Sequence, residues 1–281
     1  MVGITVGGIL NMILDPLLIF GLDLGISGAA IATMVSQIIS FCILLYQCNA
    51  RPDCIKIQLS KFRPSGKVYG EILHAGLPSF CRQGLASAAA VILNFAAGPY
   101  GDAAIAAMSI VTRFMMFINS SLIGFGQGFQ PVCGFNYGAK LYDRVREAFY
   151  FCLKTAAGFL ILLSVAGYIG APQLVELFRK GDPEVTAVGI AALRFSCISF
   201  SLSGGIVMSN MFLQSIGMAV RASVVAAARQ GLFFLPLIFI LPSIMGLKGV
   251  EMCQMVSDIL TFLLAMPLSV SVLRKMGTES D

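Results

Sequence analysis

Charge is scarce in this chain. Of its 281 residues only 12% are Asp, Glu, Lys or Arg, about half of the roughly one-quarter usual in soluble domains. Tryptophan is absent, and histidine occurs once, as His74. A single histidine at the entrance of an apolar stretch leaves no partner for a His-based metal site or a Ser-His pair. Cysteine is present eight times, at 42, 48, 54, 81, 133, 152, 197 and 253, with no C-x-x-C pair. That spacing speaks against a zinc site or a disulfide framework, and the thiols read as small buried hydrophobes. With no nucleophile cluster at any interface, an enzyme is not expected.

What the chain has in abundance is apolar length. Hydrophobic residues make up 57% of it, and the mean hydropathy is +0.87. A bilayer-spanning helix needs about 20 apolar residues, because hydrocarbon cannot satisfy an exposed backbone. Eight such segments are predicted, at approximately 2–21, 26–47, 75–98, 103–127, 147–170, 185–209, 219–242 and 249–272. The fold class is therefore an all-α, polytopic membrane protein. Met1 leads into the first segment without a basic n-region or a small-residue cleavage site, which predicts a retained span.

Net charge is +5, but its meaning lies in its distribution rather than in any affinity for nucleic acid. Arg51, Lys56, Lys61, Arg63 and Lys67 fall in one loop, Lys140, Arg144 and Arg146 in another, and Arg221, Arg274 and Lys275 at alternate ends. Cytoplasmic loops carry such excess, so both termini are expected inside, in the inner (plasma) membrane. The seven tyrosines lie mostly near span ends, where an amphipathic ring suits the interface.

One internal repeat is legible. GISGAAIATMVSQIISF from Gly25 aligns without a gap on GLKGVEMCQMVSDILTF from Gly246, and DPLLIF at 15–20 lies against LPLIFI at 235–240. Copies six spans apart in the same orientation imply six-helix lobes related by a pseudo-two-fold along the membrane normal. The expected organisation is 1–47 as the last two helices of an N-lobe, 48–74 as a cytoplasmic interlobe linker with an amphipathic piece on the lipid surface, and 75–281 as a complete C-lobe. By that arithmetic an intact protein has twelve spans, and four precede this chain.

Ionisable residues at membrane depth are expensive and by default functional. Asn11 and Asp15, four apart, share one face of the first span, and Pro16 follows directly. The proline is expected to disfavour helical geometry at Asp15, to free the carbonyl near Met12 and to act as a hinge. Thr33 lies within roughly 3 to 5 Å of the depth of Asp15, at 1.5 Å rise per residue. Carboxylate, amide, hydroxyl and carbonyl together suit Na⁺, and the carboxylate alone suits a proton. Arg113, Arg194 and Asp258 share a second slab and are expected to form a structural charge cluster. Arg82, Lys154 and Arg229 are read as snorkelling towards the cytoplasm, and FNYGAK, 135–140, as a loop with a tight turn.

NMILDPLLIF followed by GISGAAIATMVSQ resembles the fifth and sixth helices of the multidrug and toxic compound extrusion (MATE) family. SLIGFGQGFQPVCGFNYGAKLYDRVREAF resembles its eighth helix and following loop, and FLQSIGM at 212–218, LPL at 235–237 and GLKGV at 246–250 extend the match. The resemblance implies a twelve-helix, two-lobed antiporter that exports organic, often cationic, drugs against H⁺ or Na⁺, with no other cofactor. It places an N-lobe cation site on Asn11, Asp15 and Thr33. It also implies a helix-one aspartate that has no counterpart here, and C-lobe acids where this chain offers Arg82, Gln83 and Arg194. A lipid-linked oligosaccharide flippase, favoured by the arginines, and an inactive fragment needing its missing N-terminal helices remain as alternatives.

Overall fold

The computed structural model describes residues 2–50, 65–178 and 183–278. Ten α-helices run through them: α1 Val2–Pro16, α2 Gly25–Ala50, α3 Gly66–Ala97, α4 Asp102–Gly138, α5 Tyr142–Ile169, α6 Ala171–Phe178, α7 Pro183–Ser215, α8 Ala219–Ala227, α9 Phe234–Met245 and α10 Leu247–Thr278. Short π-helical stretches follow α1, at Leu17–Gly21, and α8, at Ala228–Phe233. Counting α1 and α8–α9 with their π stretches as continuous, eight helices among the described residues are long and apolar enough to cross a membrane. No strand occurs among those residues.

Several helices outrun the apolar windows expected for them. α4 has 37 residues, about 55 Å at 1.5 Å per residue, against a hydrocarbon core about 30 Å thick. Apolarity marks only the lipid-immersed part, whereas backbone hydrogen bonding continues into the interface. For the same reason residues 66–74, expected in the linker, are the first turns of α3, and His74 is exposed there. The expected amphipathic piece, with Arg51, Lys56, Lys61 and Arg63, lies outside the described residues, as do Cys54, Arg179 and Lys180. FNYGAK is also mostly helix. Phe135–Gly138 ends α4, Asn136 donates its side-chain amide to the Val132 carbonyl at 2.8 Å, and the turn is made by Lys140 at φ 59°.

The chain divides into two compact units, Met1–Ser65 and Gly66–Asp281. In the first, α1 and α2 form a hairpin that closes over small residues. A Cβ on Gly7 would stand 2.7 Å from that of Ser40, and the Ser40 hydroxyl donates to the Gly3 carbonyl at 2.9 Å. Small side chains let helix backbones approach where lipid supplies no hydrophobic drive to associate.

In the second unit α7 is the central helix, packed against α4, α5 and α10. Phe149 sits between Phe129 and Phe212, at 6.5 and 5.0 Å between ring centroids. An amide chain ties α4 to α7 and α8: Gln130 donates to Gln214 at 3.1 Å, Gln214 to Asn210 at 3.1 Å, and Asn210 to the Ala222 carbonyl at 2.6 Å.

The hairpin geometry recurs between the units. Gly25 and Gly246, aligned in the repeat, take φ +53° and +60°, a region open to glycine at little cost. Three residues on, Gly28 and Gly249 each back onto a carbonyl of the preceding helical segment, Leu18 and Leu241.

Candidate functional site

Two places concentrate polar chemistry. The first lies in the α1–α2 hairpin, where the Asn11 side-chain amide donates to the Thr33 hydroxyl at 3.5 Å, a long bond. Thr33 in turn donates to the Ala29 carbonyl one turn back, at 3.0 Å. Asp15 follows Asn11 by four residues and is half-buried, yet its Oδ1 is enclosed and has no hydrogen-bond partner among the described residues. The structure therefore brings Asn11 and Thr33 together and leaves one oxygen of the adjacent carboxylate, Oδ1, without a partner among the described residues.

Pro16 acts differently from the expectation. Asp15 stays helical, Pro16 itself is helical at φ −65° and ψ −33°, and the chain widens only afterwards into Leu17–Gly21. Proline fixes a helix-compatible φ but supplies no N–H and crowds the carbonyl four residues earlier, and here the ladder changes register downstream, in Leu17–Gly21, while Asp15 stays helical. The Met12 carbonyl still lacks its usual donor at position 16. Carbonyl, carboxylate, amide and hydroxyl oxygens in one hairpin are a donor set compatible with a hard monovalent cation, and the carboxylate alone with a proton.

The second place lies within Gly66–Asp281. Asp258, fully buried on α10, accepts from Arg229 through Nε at 2.8 Å and Nη2 at 3.3 Å. The expected cluster with Arg113 and Arg194 does not form. Arg113 is exposed on α4, and the Arg194 guanidinium lies over the Tyr168 ring, 5.1 Å from its centroid. Common depth is not common azimuth, and of the arginines named it is Arg229 that pairs with Asp258. Arg229 had been expected to snorkel. It is instead anchored by its place in the π stretch, where the Ser257 hydroxyl donates to its carbonyl at 2.5 Å.

Further donors complete this knot. Gln254 donates to Asp258 Oδ1 at 2.9 Å, and the Ser199 and Ser203 hydroxyls stand 3.1 and 3.4 Å from Oδ2. Arg229 also donates to Asn119 Oδ1 at 3.2 Å and to the Ser203 hydroxyl at 3.0 Å. Every element of the pair is thus bonded, as buried charges require.

The knot forms part of the wall of a cavity of about 350 Å³, a size suited to a small organic ligand. Met108, Val111 and Met115 supply apolar wall, and Arg82, Asn119, Arg229, Glu251 and Gln254 supply polar groups. Glu251 is only 6% exposed. The helices on which the resemblance implies C-lobe acids carry none at the matching positions, and this carboxylate on α10 was not among the expected site residues. Its signal was the spacing Glu251, Gln254, Asp258, which puts three polar groups on one helical stripe inside an apolar span.

A family model described as MatE matches residues 78–240. Multidrug export protein MepA of Staphylococcus saprophyticus is 28% identical over 267 residues, covering 95% of this chain and 58% of that protein. A structure titled as the outward-facing conformation of a multidrug resistance MATE family transporter of the MOP superfamily superposes with TM-score 0.87 at 24% identity, covering 99% of this chain and 63% of the other. The Vibrio cholerae MATE transporter VcmN in its bent form gives TM-score 0.84 at 24% identity, covering 99% and 63%. This chain spans 58% of the length of the MepA relative.

Proposed function

The chain belongs to the MatE family, and from that premise we propose that it works as helices five to twelve of a cation-coupled antiporter that exports organic, often cationic, drugs by alternating access. The family match and the eight long apolar helices support a multi-pass membrane protein; transport of the multidrug-export kind is part of the proposal. The coupling ion, the antiport cycle and the placement of both termini on the cytoplasmic side of the plasma membrane are the proposal.

One observation carries it: Asp15 Oδ1 is enclosed and has no hydrogen-bond partner among the described residues, one turn from the Asn11–Thr33 pair. An enclosed carboxylate oxygen without a donor is costly unless a proton or a cation arrives. Binding either one alters the charge beside Pro16, where the helix passes into its wider stretch. Asp15 holds the ion, Asn11 and Thr33 add neutral oxygens, and the widened segment responds by changing its bend, which excludes drug. Drug and ion then alternate through one carboxylate.

The test is Asp15→Asn in the full-length transporter, reconstituted in vesicles with an imposed H⁺ or Na⁺ gradient. Ion-driven efflux should vanish while the melting temperature stays within a few degrees of the parent. Parental efflux from a folded Asp15→Asn protein defeats the mechanism.

A lipid-linked oligosaccharide flippase is the second reading, favoured by Arg82, whose Nε and Nη1 are enclosed without partners among the described residues. Glu251 on the same cavity works against it, since a pyrophosphate head would meet a carboxylate. Efflux of a cationic dye set against flipping of a labelled polyprenyl phosphate separates the two.

A further inference from the structure

The two hairpins matched by the repeat each carry an acid inside apolar helices, and the two acids are treated in opposite ways. Asp15 Oδ1 is enclosed without a hydrogen-bond partner among the described residues. Asp258 accepts at both oxygens, from Arg229, Gln254, Ser199 and Ser203. The polar layers of the two hairpins correspond. The gapless match that sets Gly25 against Gly246 also sets Thr33 against Gln254 and Gln37 against Asp258. On the preceding helix, extending the match of 15–20 on 235–240 backwards sets Ile9 against Arg229, two residues before Asn11. Thr33 accepts from Asn11, whereas Gln254 donates to Asp258 one turn along its own helix.

A carboxylate removed from water needs a cation beside it. At Asp258 the chain itself supplies one. Arg229 donates to Asp258 Oδ1 and Oδ2, to Asn119 Oδ1 and to the Ser203 hydroxyl. Carboxylate, amide carbonyl and hydroxyl oxygens are the ligand types that hard cations select. The backbone is tied down at the same point, since Ser257 donates to the Arg229 carbonyl. We infer that this oxygen cage is a monovalent-cation site whose occupant is the protein's own guanidinium, presented by the π stretch Ala228–Phe233. A guanidinium stays protonated throughout the physiological pH range, and its tether keeps it at the site whatever salt surrounds the protein. The second unit thus carries its counter-charge covalently and takes up no mobile ion at Asp258. Resting on the Asp15 reading, coupling then runs through the first hairpin without a second ion at this cage.

The test removes the tethered cation and asks whether a free one replaces it. Every protein is the full-length transporter carrying Asp15→Asn, so that the first hairpin adds no ion dependence. Melting temperatures are compared in NaCl and in choline chloride at equal ionic strength. With Arg229 present, the two salts should give the same value. Arg229→Ala should melt lower than its parent in choline, and about 2–4 °C higher in roughly 200 mM NaCl than in choline. Arg229→Lys keeps a tethered charge and should show no difference between the salts. Arg229→Ala combined with Asp258→Asn should show none either.

Equal melting of a folded Arg229→Ala protein in both salts overturns the cage. Aggregation of that variant in both salts also overturns it, because a cation site emptied of its occupant must be rescued by another cation. Binding of radiolabelled Na⁺ gives an independent reading with Arg229 intact. The Asp15→Asn protein should show no saturable Na⁺ binding, and saturable binding that Asp258→Asn abolishes would mean that Arg229 leaves the site open. Neither measurement involves transport, so failure of the Asp15 efflux experiment leaves this inference standing, and failure here leaves that reading standing.

Discussion

Arg229 grips Asp258 side-on, with Nε 2.8 Å from Oδ1 and Nη2 3.3 Å from Oδ2, at a carboxylate that has no solvent exposure. Planar two-point contact of this kind is specific to guanidinium. The pair joins the π stretch after α8 to α10, and the hydroxyls of Ser199 and Ser203 bring α7 to the same point.

Breaking that pair from one side should cost far more than removing it whole. Asp258→Asn or Arg229→Gln leaves a buried charge without its counter-ion, which typically destabilises by about 3–5 kcal/mol. The double variant Arg229→Met with Asp258→Leu should recover most of the loss. Reversible unfolding in mixed micelles measures all three. Additive losses in the double variant would show that the two side chains do not depend on each other.

The neutral partners of Asp15 distinguish the coupling ion. If the ion is Na⁺, Asn11→Ala and Thr33→Ala each delete an oxygen ligand, and the Na⁺ concentration for half-maximal efflux should rise about tenfold, equivalent to about 1.4 kcal/mol. If it is a proton, both variants should keep their ion dependence and only Asp15→Asn should lose it. An unchanged half-maximal Na⁺ in both alanine variants, alongside Na⁺-driven efflux, removes Asn11 and Thr33 from the site.

Pro16 is predicted to trade stability for movement. Pro16→Ala restores an N–H that the Met12 carbonyl accepts, so the helix should gain stability, by at most about 3 kcal/mol. The widened segment Leu17–Gly21 should then tighten. Efflux should fall several-fold although Asp15 is intact. A Pro16→Ala protein that is more stable and pumps at the parental rate would mean that this segment does not move during transport.

The recurring glycines make a sharper packing test. A Cβ on Gly28 would lie 2.7 Å from the Leu18 carbonyl oxygen, and one on Gly249 would press still harder on Leu241. These obstacles are backbone and cannot rotate away. Gly249→Ala should therefore cost about 1–3 kcal/mol, as overpacking does. Gly84, with nothing within 4 Å of its added Cβ, should accept alanine at no cost or gain up to about 1 kcal/mol. Thermal unfolding of the two variants side by side checks the contrast.

Much of the architecture was legible because lipid imposes it locally. The first two spans were expected at 2–21 and 26–47 and occur as Gly3–Gly21 and Gly25–Ala50. The repeat that matched Gly25 to Gly246 reappears as a positive φ at both glycines, because a tight turn between helices constrains its own few residues. Depth alone put Thr33 level with Asp15, whereas its hydrogen bond runs to Asn11 one turn away, because rotation of the two helices selects the partner.

Apolar averaging hid the ends of α3 and α4, which are polar and still helical. Glu251 also went unmarked, although it shares the apolar span Leu247–Met276 with Asp258. The chain's own order thus determined that it spans the membrane, how often, and where its hairpins turn, because span length and turn conformation are set by neighbouring residues and the solvent around them. Which arginine meets Asp258, and that Arg82 and Glu251 share a cavity, were decided only by tertiary packing. Those outcomes depend on how each helix is rotated about its axis against helices distant in sequence, and on a π stretch that turns Arg229 towards α10.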